Sequence, residues 1–218
     1  MTRYRLVIGN KNYSSWSLRP WLFLRHHDIA FEEVRLALDS EEFRTRIGDF
    51  SPSGRVPVLH DGEVVVWDSL AILEYLAERH PQAHGWPQDP ASRALARSAS
   101  AEMHSGFPDL RGELPMNCSR RGPLPQIGAG ARRDIDRVQA LWRSLRARHA
   151  GVGPFLCGHF GIVDCMFAPV AIRFTGYAVP VDGECRAWMD ALLALPAMQE
   201  WIAQGRAESE RLAKYEAI

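Results

Sequence analysis

The stretch that decides the fold is Ser51–Leu76, SPSGRVPVLHDGEVVVWDSLAILEYL. Ser51 to Gly54 has turn composition, Val56 to Leu59 is a short apolar run, and Asp61-Gly62 returns the chain through Glu63 to Trp67. An Asp-Gly pair between two β-prone runs is a strong short-range hairpin signal. From Ser69 the apolar spacing becomes helical, with Leu70, Leu73, Leu76 and Ala77 on one face, Ile72 beside it, and Glu74 and Glu78 outward. The stretch reads strand, tight turn, strand, helix.

Pro57 stands one residue into a strand, where it removes a ladder donor. It must therefore lie at an edge, at a strand start or in a cis bond. That leaves the N–H and C=O of Val56 without ladder partners. Asp68-Ser69 marks the start of the helix, whose unpaired N–H groups and dipole bind a carboxylate well. The pattern predicts a groove for an extended peptide, with Val56 pairing its backbone and Ser69 its carboxylate. A plain edge strand followed by an N-capped helix satisfies the same spacing.

The order SPSGRVPVL, hairpin, WDSLAILEYL resembles the glutathione-binding half of the cytosolic glutathione transferases. The resemblance runs through the N-terminal half and, more weakly, through the helical remainder. It implies that Arg55 lies near the glycine carboxylate of glutathione, that Val56 and Pro57 align its peptide, and that Asp68 and Ser69 meet the amino and carboxylate groups of its glutamyl end.

Upstream, Tyr4 to Gly9 is β-rich enough for a first strand, and Gly9-Asn10-Lys11-Asn12 supplies a turn. The hydroxyls in Tyr13-Ser14-Ser15-Trp16-Ser17-Leu18-Arg19-Pro20-Trp21 precede a helical apolar run, so one of them serves as N-cap. Pro20 fits the first turn, where its missing N–H costs nothing. A thiol of ordinary pKa, about 8.5, is mostly protonated at neutral pH, and each unit of depression needs about 1.4 kcal/mol of preferential thiolate stabilisation. Hydroxyl and backbone donors at a helix N-terminus can supply it. No neighbouring His completes a relay, which argues against a serine hydrolase.

Ser14-Ser15-Trp16-Ser17-Leu18-Arg19 is similar to the motif of bacterial serine-type transferases and of the zeta class, the maleylacetoacetate isomerases. By that resemblance Ser14 is the catalytic hydroxyl, Ser15 the neighbouring donor and Arg19 the shared arginine. Trp16 stands where the zeta class has cysteine. Tyr13 is a second candidate donor. The motif holds no cysteine for a mixed disulfide, which disfavours a thiol-disulfide oxidoreductase.

Ile29 to Leu38 reads as a second strand and Glu41 to Ile47 as a short helix or irregular segment. His80 to Pro90, HPQAHGWPQDP, lacks periodicity and is the best domain boundary. The fold class expected is thus a thioredoxin-like α/β domain over residues 1–80, a linker over 81–90 and an all-α domain over 91–218. Met103, Phe107 and Arg111 follow the first helix of that second half, and by resemblance they line the electrophile pocket with Tyr13 and Trp16. An apolar pocket with one cation favours a flat anionic substrate. Arg173 and Tyr177 are further candidates for its border. Gly161-Ile162-Val163-Asp164 resembles the family's capping box, with Gly161 in place of the hydroxyl residue.

The chain has 218 residues, 46% of them hydrophobic, enough for one large or two modest domains. Lys plus Arg equals Asp plus Glu at 26 each, so no net field favours nucleic acid or anionic lipid. No apolar run approaches the ~20 residues of a membrane span, and no apolar signal region follows Met1, so a cytoplasmic setting is expected. Cys118, Cys157, Cys165 and Cys185 form no CxxC, and Pro81 separates His80 from His84, so no metal site is expected.

The expected function is a glutathione transferase of the kind used in detoxification. Glutathione is its co-substrate, a small hydrophobic electrophile its other substrate, and the family resemblance implies a homodimer. Two alternatives stand: a zeta-like glutathione-dependent cis-trans isomerase, and a non-catalytic binding protein on the same scaffold.

Overall fold

The structure is a computed structural model and describes residues 4–123 and 125–216. Four strands, β1 (Tyr4–Ile8), β2 (Phe31–Arg35), β3 (Val58–Asp61) and β4 (Val64–Trp67), form a mixed sheet in the order β2-β1-β3-β4. β1 and β2 are parallel and joined through helix α1 (Ser15–His26), whereas β3 runs antiparallel to both of its neighbours. Period-two alternation in β1 sets the layers. Leu6 and Ile8 enter the main core with Leu18 and Leu22 of α1, while Val7 packs on the other face with Leu36, Ile47 and Val58, beside helix α2 (Glu41–Phe50).

The hairpin forms where the sequence predicts it, one residue displaced. Asp61 pairs with Val64 inside the ladder, so the two-residue loop is Gly62-Glu63, with Gly62 at φ +61°. A positive φ at the first loop position is a conformation glycine adopts without a Cβ clash. The Val56–Pro57 peptide is cis and β3 begins directly after it. Helix α3 (Ser69–Arg79) buries Ser69, Ile72, Leu73 and Leu76, leaving Leu70 and Ala77 half-buried.

One local reading is corrected. Pro20 lies in the second turn of α1, because Ser14 caps the helix and Ser15 is its first residue. At that depth an ordinary residue's N–H would bond the carbonyl four positions back, at Trp16, so the proline does remove a helical hydrogen bond. α1 is buried on nearly every side, from Ser17 through Leu24, and tertiary packing outweighs the lost bond.

The second half is all helix: α4 (Pro90–Ser105), α5 (Pro108–Glu113), α6 (Ala129–Arg148), α7 (Ile162–Gly176), α8 (Gly183–Leu193), α9 (Pro196–Ala207) and α10 (Ala213–Glu216). Helices α5 and α10 are not foreseen in the sequence. Phe107, at φ +60°, breaks the path after α4, and Pro108 at the first helical position restarts it as α5. α7 is the hydrophobic centre of this half, buried along almost its whole length, with Trp142 and Trp188 packed 4.3 Å apart in the same core. Cys165 is buried there too, and burial pushes its thiol well above the ordinary range.

The capping element at α7 is structural, as expected. Asp164 is fully buried and accepts from Gly161 N–H at 2.9 Å, Leu156 N–H at 3.0 Å and Trp188 Nε1–H at 2.8 Å. Burial pushes its carboxyl up to about 6, against the pull of those three donors. The glycine at the N-cap has a steric reason: a Cβ on Gly161 would sit 2.9 Å from the Gly85 carbonyl oxygen. The sheet with α1 to α3 is thus a thioredoxin-like half, docked through α1 onto α7 and α9 of the helical half.

Candidate active-site cleft

Two helix N-termini, those of α1 and α3, open onto one cleft. It has two lobes, of about 530 and 600 Å³, that share Trp16, Arg55 and Val56. Pro57, Asp68, Ser69 and His104 line the first, and Ser14, Ser15, Arg111, Met116, Arg173 and Tyr215 the second. Among the described residues no backbone hydrogen bond engages Val56, so its amide faces are available beside both lobes.

At α1, Ser14 caps the helix by accepting from Ser17 N–H at 3.4 Å, and its own hydroxyl donates to Ser17 Oγ at 2.7 Å. Ser17 Oγ in turn accepts from Gly9 N–H at 3.1 Å. The Ser14 proton is thereby committed inside the turn. Ser15 lines the second lobe, and among the described residues its hydroxyl has no partner. The Tyr13 hydroxyl donates to Glu216 and accepts from Leu212 N–H at 3.4 Å, while its ring stacks on Tyr215 at 5.2 Å. Burial first, and Glu216 second, push that phenol above its ordinary pKa, so Tyr13 fastens the C-terminal segment over the cleft.

At α3, Asp68 caps the helix by accepting from Leu70 N–H at 2.8 Å, in a left-handed conformation (φ +75°) uncommon for a residue with a side chain. Its other oxygen is 3.2 Å from His104 Nε2. Burial pulls the His104 imidazole below its ordinary pKa, with the Arg19 and Arg111 charges adding to that effect and Asp68 opposing it. Ser69 Oγ accepts from Arg19 Nη1 at 3.1 Å, which ties the two helix starts together across fifty residues of sequence.

Along and beneath the second lobe lie three guanidiniums that have no carboxylate partner among the described residues. Arg19 is fully buried with its carbon 4.4 Å from the Trp16 ring centre, and Arg111 stands 4.9 Å from the same ring. Arg111 Nε donates to the Gly106 carbonyl at 2.9 Å and Arg173 Nε to the Leu114 carbonyl at 2.9 Å, so both are held by backbone oxygens. None of the three joins an ion pair among the described residues. Burial foremost, and then mutual repulsion, lowers Arg19 well below its usual pKa and Arg173 to about 9. Guanidinium stays charged at neutral pH, so these shifts record first the cost of burying positive charge and then that of gathering it, with Asp68 offsetting part of the cost at Arg19.

Two family models match the chain, "Glutathione S-transferase, N-terminal domain" over residues 13–79 and "Glutathione S-transferase, C-terminal domain" over residues 124–204. Glutathione S-transferase 1 of Dianthus caryophyllus is 30% identical over 169 residues, covering 76% of this chain and 75% of that one. The chain belongs to the glutathione S-transferase family. Glutathione S-transferase GstB of Escherichia coli K12 is 26% identical over 89% of this family member and 96% of its own length. A probable maleylacetoacetate isomerase of Caenorhabditis elegans is 39% identical over 97 residues, and that match spans 44% of each protein. A Burkholderia glutathione transferase homolog solved with bound glutathione shares the fold at TM-score 0.73 and 24% identity, covering 94% of this chain and all of that one.

The transferase fold therefore brings Tyr13, Ser14, Ser15, Trp16, Arg55, Val56, Pro57, Asp68, Ser69 and Arg111 to one cleft. Met103 and Phe107 go elsewhere. Met103 is fully buried on the α4 stripe that carries Ala96 and Ala99, and Phe107 is 5% exposed in the same core, so neither lines a lobe. Tyr177 is likewise buried, its hydroxyl donating to the Pro115 carbonyl at 3.1 Å. His104, Met116, Lys214 and Tyr215 are among the lining residues that the sequence reading missed. Among the described residues no group of three or more His, Cys, Asp or Glu side chains could hold a metal, and no helix is long and apolar enough to cross a membrane.

Proposed function

We propose that this family member binds glutathione along the first lobe, stabilises its thiolate at the start of α1 and joins it to an electrophile held in the second lobe. The observation that carries the reading is the meeting of the two helix starts, Ser15 and Ser69, on either side of an unbonded Val56 amide. Asp68 and Ser69 suit the glutamyl amino and carboxylate groups, Val56 suits peptide pairing, and Arg55 suits the glycine carboxylate. Resemblance favours Ser14 as the thiolate donor, while the uncommitted hydroxyl of Ser15 favours that residue. In this reading residues to about 80 bind glutathione, and the helices from about 91 supply the electrophile pocket. Family membership further supports a homodimer in a cytoplasmic setting, and light scattering in solution tests the dimer.

A second reading, glutathione-dependent cis-trans isomerisation of an alkene diacid, is favoured by the Arg19, Arg111 and Arg173 cluster, which joins no ion pair among the described residues. The likeness of the N-terminal part to a probable maleylacetoacetate isomerase points the same way. Turnover of maleylacetoacetate without net loss of glutathione would identify it.

The deciding measurement is ultraviolet difference absorbance at the thiolate band as glutathione is titrated into wild type, Ser14→Ala and Ser15→Ala. A band in wild type that disappears in Ser15→Ala supports thiol activation by that residue. Saturable binding with no band in any protein supports a non-catalytic binder, and no binding at all overturns the glutathione reading.

A further inference from the structure

One residue of the helical half reaches the first lobe. His104, from the last turn of α4, lines that lobe beside Trp16 of α1 and Asp68 and Ser69 of α3. The other lining residues, among those described, all come from the thioredoxin-like half. His104 Nε2 stands 3.2 Å from Asp68 Oδ2, and its ring meets the Trp16 indole edge-on at 5.3 Å.

The partner fixes the proton. An ionised carboxylate only accepts, so the imidazole nitrogen beside it carries the hydrogen and Nε2–H donates to Asp68. Nδ1 is buried and, among the described residues, without a partner, so a second proton there would be a stranded donor. The charged groups around the ring act in the same direction. Burial first, and then the Arg19 and Arg111 guanidiniums, hold the imidazole below its ordinary pKa against the pull of Asp68. His104 is therefore neutral at neutral pH.

Asp68 is held from two sides. A carboxylate has about four lone-pair sites. Leu70 N–H takes one on Oδ1 at 2.8 Å, and His104 takes another on Oδ2. The remainder stay open, among the described residues, on a side chain that is 42% exposed in the first lobe. The Asp68 backbone, at φ +75°, keeps a conformation that a residue with a Cβ holds only where its surroundings over-determine it. A neutral donor in place of a cation orients the carboxylate and leaves its charge for a third partner.

We propose that His104 is a positioning residue that aims the Asp68 carboxylate at the α-amino group of a γ-glutamyl peptide, making a free amino group there a condition of tight binding. The role rests on the glutathione reading above. His104 acts through Asp68 and from the opposite half of the chain, so the docking of the two halves sets how the carboxylate is presented.

Calorimetric titration of the full chain with glutathione and with glutaryl-cysteinylglycine, which carries hydrogen in place of the α-amino group, tests it. Wild type at neutral pH should favour glutathione by about tenfold or more, the worth of one charge-assisted hydrogen bond. His104→Ala should erase most of that preference, weakening glutathione at least about fivefold and the analogue less than about twofold. His104→Gln, whose amide N–H replaces Nε2–H, should keep it. Acidification gives a second readout. Below the ordinary imidazole range His104 takes up a proton, and its positive charge then opposes the ammonium of the ligand. The glutathione preference of wild type should fall there, while that of His104→Gln stays level. Equal weakening of both ligands in His104→Ala, or an unchanged preference, would overturn the role, as would a pH profile that His104→Gln shares with wild type. Failure of wild type to bind glutathione at all would overturn the role together with the reading on which it rests.

Discussion

At the start of α7 one buried carboxylate meets three N–H donors, whereas at the cleft three buried or half-buried guanidiniums meet no carboxylate among the described residues. Both clusters are polar groups taken out of water, and both perturb pKa values in the direction that burial demands. The difference lies in completion. A cluster whose donors and acceptors are all matched holds structure together, and one that gathers like charges without a counter-ion gains when a ligand of opposite sign joins it. The Asp164 node therefore reads as a folding element, and in the function proposed above the arginine cluster is the part that meets a ligand.

The largest test of that contrast is Asp164→Ala. It would strand the Leu156 and Gly161 amides and the Trp188 indole N–H, each an unsatisfied buried donor costing about 1–3 kcal/mol. A total loss of about 3–5 kcal/mol is expected in denaturant unfolding, as a lower midpoint with an unchanged slope. Asp164→Asn, which keeps one acceptor oxygen, should lose less. A loss below about 1 kcal/mol would show that the node is dispensable and the contrast misplaced.

A smaller and opposite effect is expected at the arginines, where adding a partner should stabilise. Maleate, a compact dicarboxylate, should raise the unfolding temperature, since at a hundredfold excess over Kd a ligand contributes about 2.7 kcal/mol. For a chain of this size that is about 5–10 °C. Sodium chloride at equal ionic strength should give much less, and Arg111→Ala should abolish most of the maleate shift. Equal protection by chloride would reduce the cluster to a general electrostatic sink.

How far the sequence reached follows the same division between local and long-range causes. The hairpin, the start of α3 and the cap of α1 were legible because each depends on a few neighbouring residues: Asp61-Gly62, Pro57, Ser69 and the serines before Leu18. Met103 was misread from its company of Phe107 and Arg111. Read at helical spacing, Ala96, Ala99 and Met103 form one buried stripe, and His104 falls on the next face, toward Asp68. The Arg19–Ser69 bond and the approach of Tyr215 to Tyr13 join residues 50 and 202 positions apart, and no local pattern announces either. Helix α5 was hidden for a different reason, since six residues carry too little periodicity to declare a helix, and Pro108 reads equally well as a turn.

The finest test separates Ser14 from Ser15, adjacent hydroxyls that fall on opposite sides of the same contrast. Ser14 is complete: it accepts from Ser17 N–H and donates to Ser17 Oγ, as a helix cap should. Ser14→Ala should cost about 1 kcal/mol of stability, the usual worth of such a cap. Ser15 is incomplete, a hydroxyl at the mouth of the second lobe with no partner among the described residues. Ser15→Ala should leave stability within about 0.5 kcal/mol of wild type, because it breaks no hydrogen bond. It should nevertheless remove the glutathione thiolate band, while Ser14→Ala weakens that band only as far as the turn loosens. The reverse outcome, a stable Ser14→Ala protein with no band, would mean that bound glutathione draws the Ser14 proton away from Ser17. The cap seen here would then be the resting arrangement of the thiolate donor, and completeness in the unliganded chain would no longer mark a residue as structural.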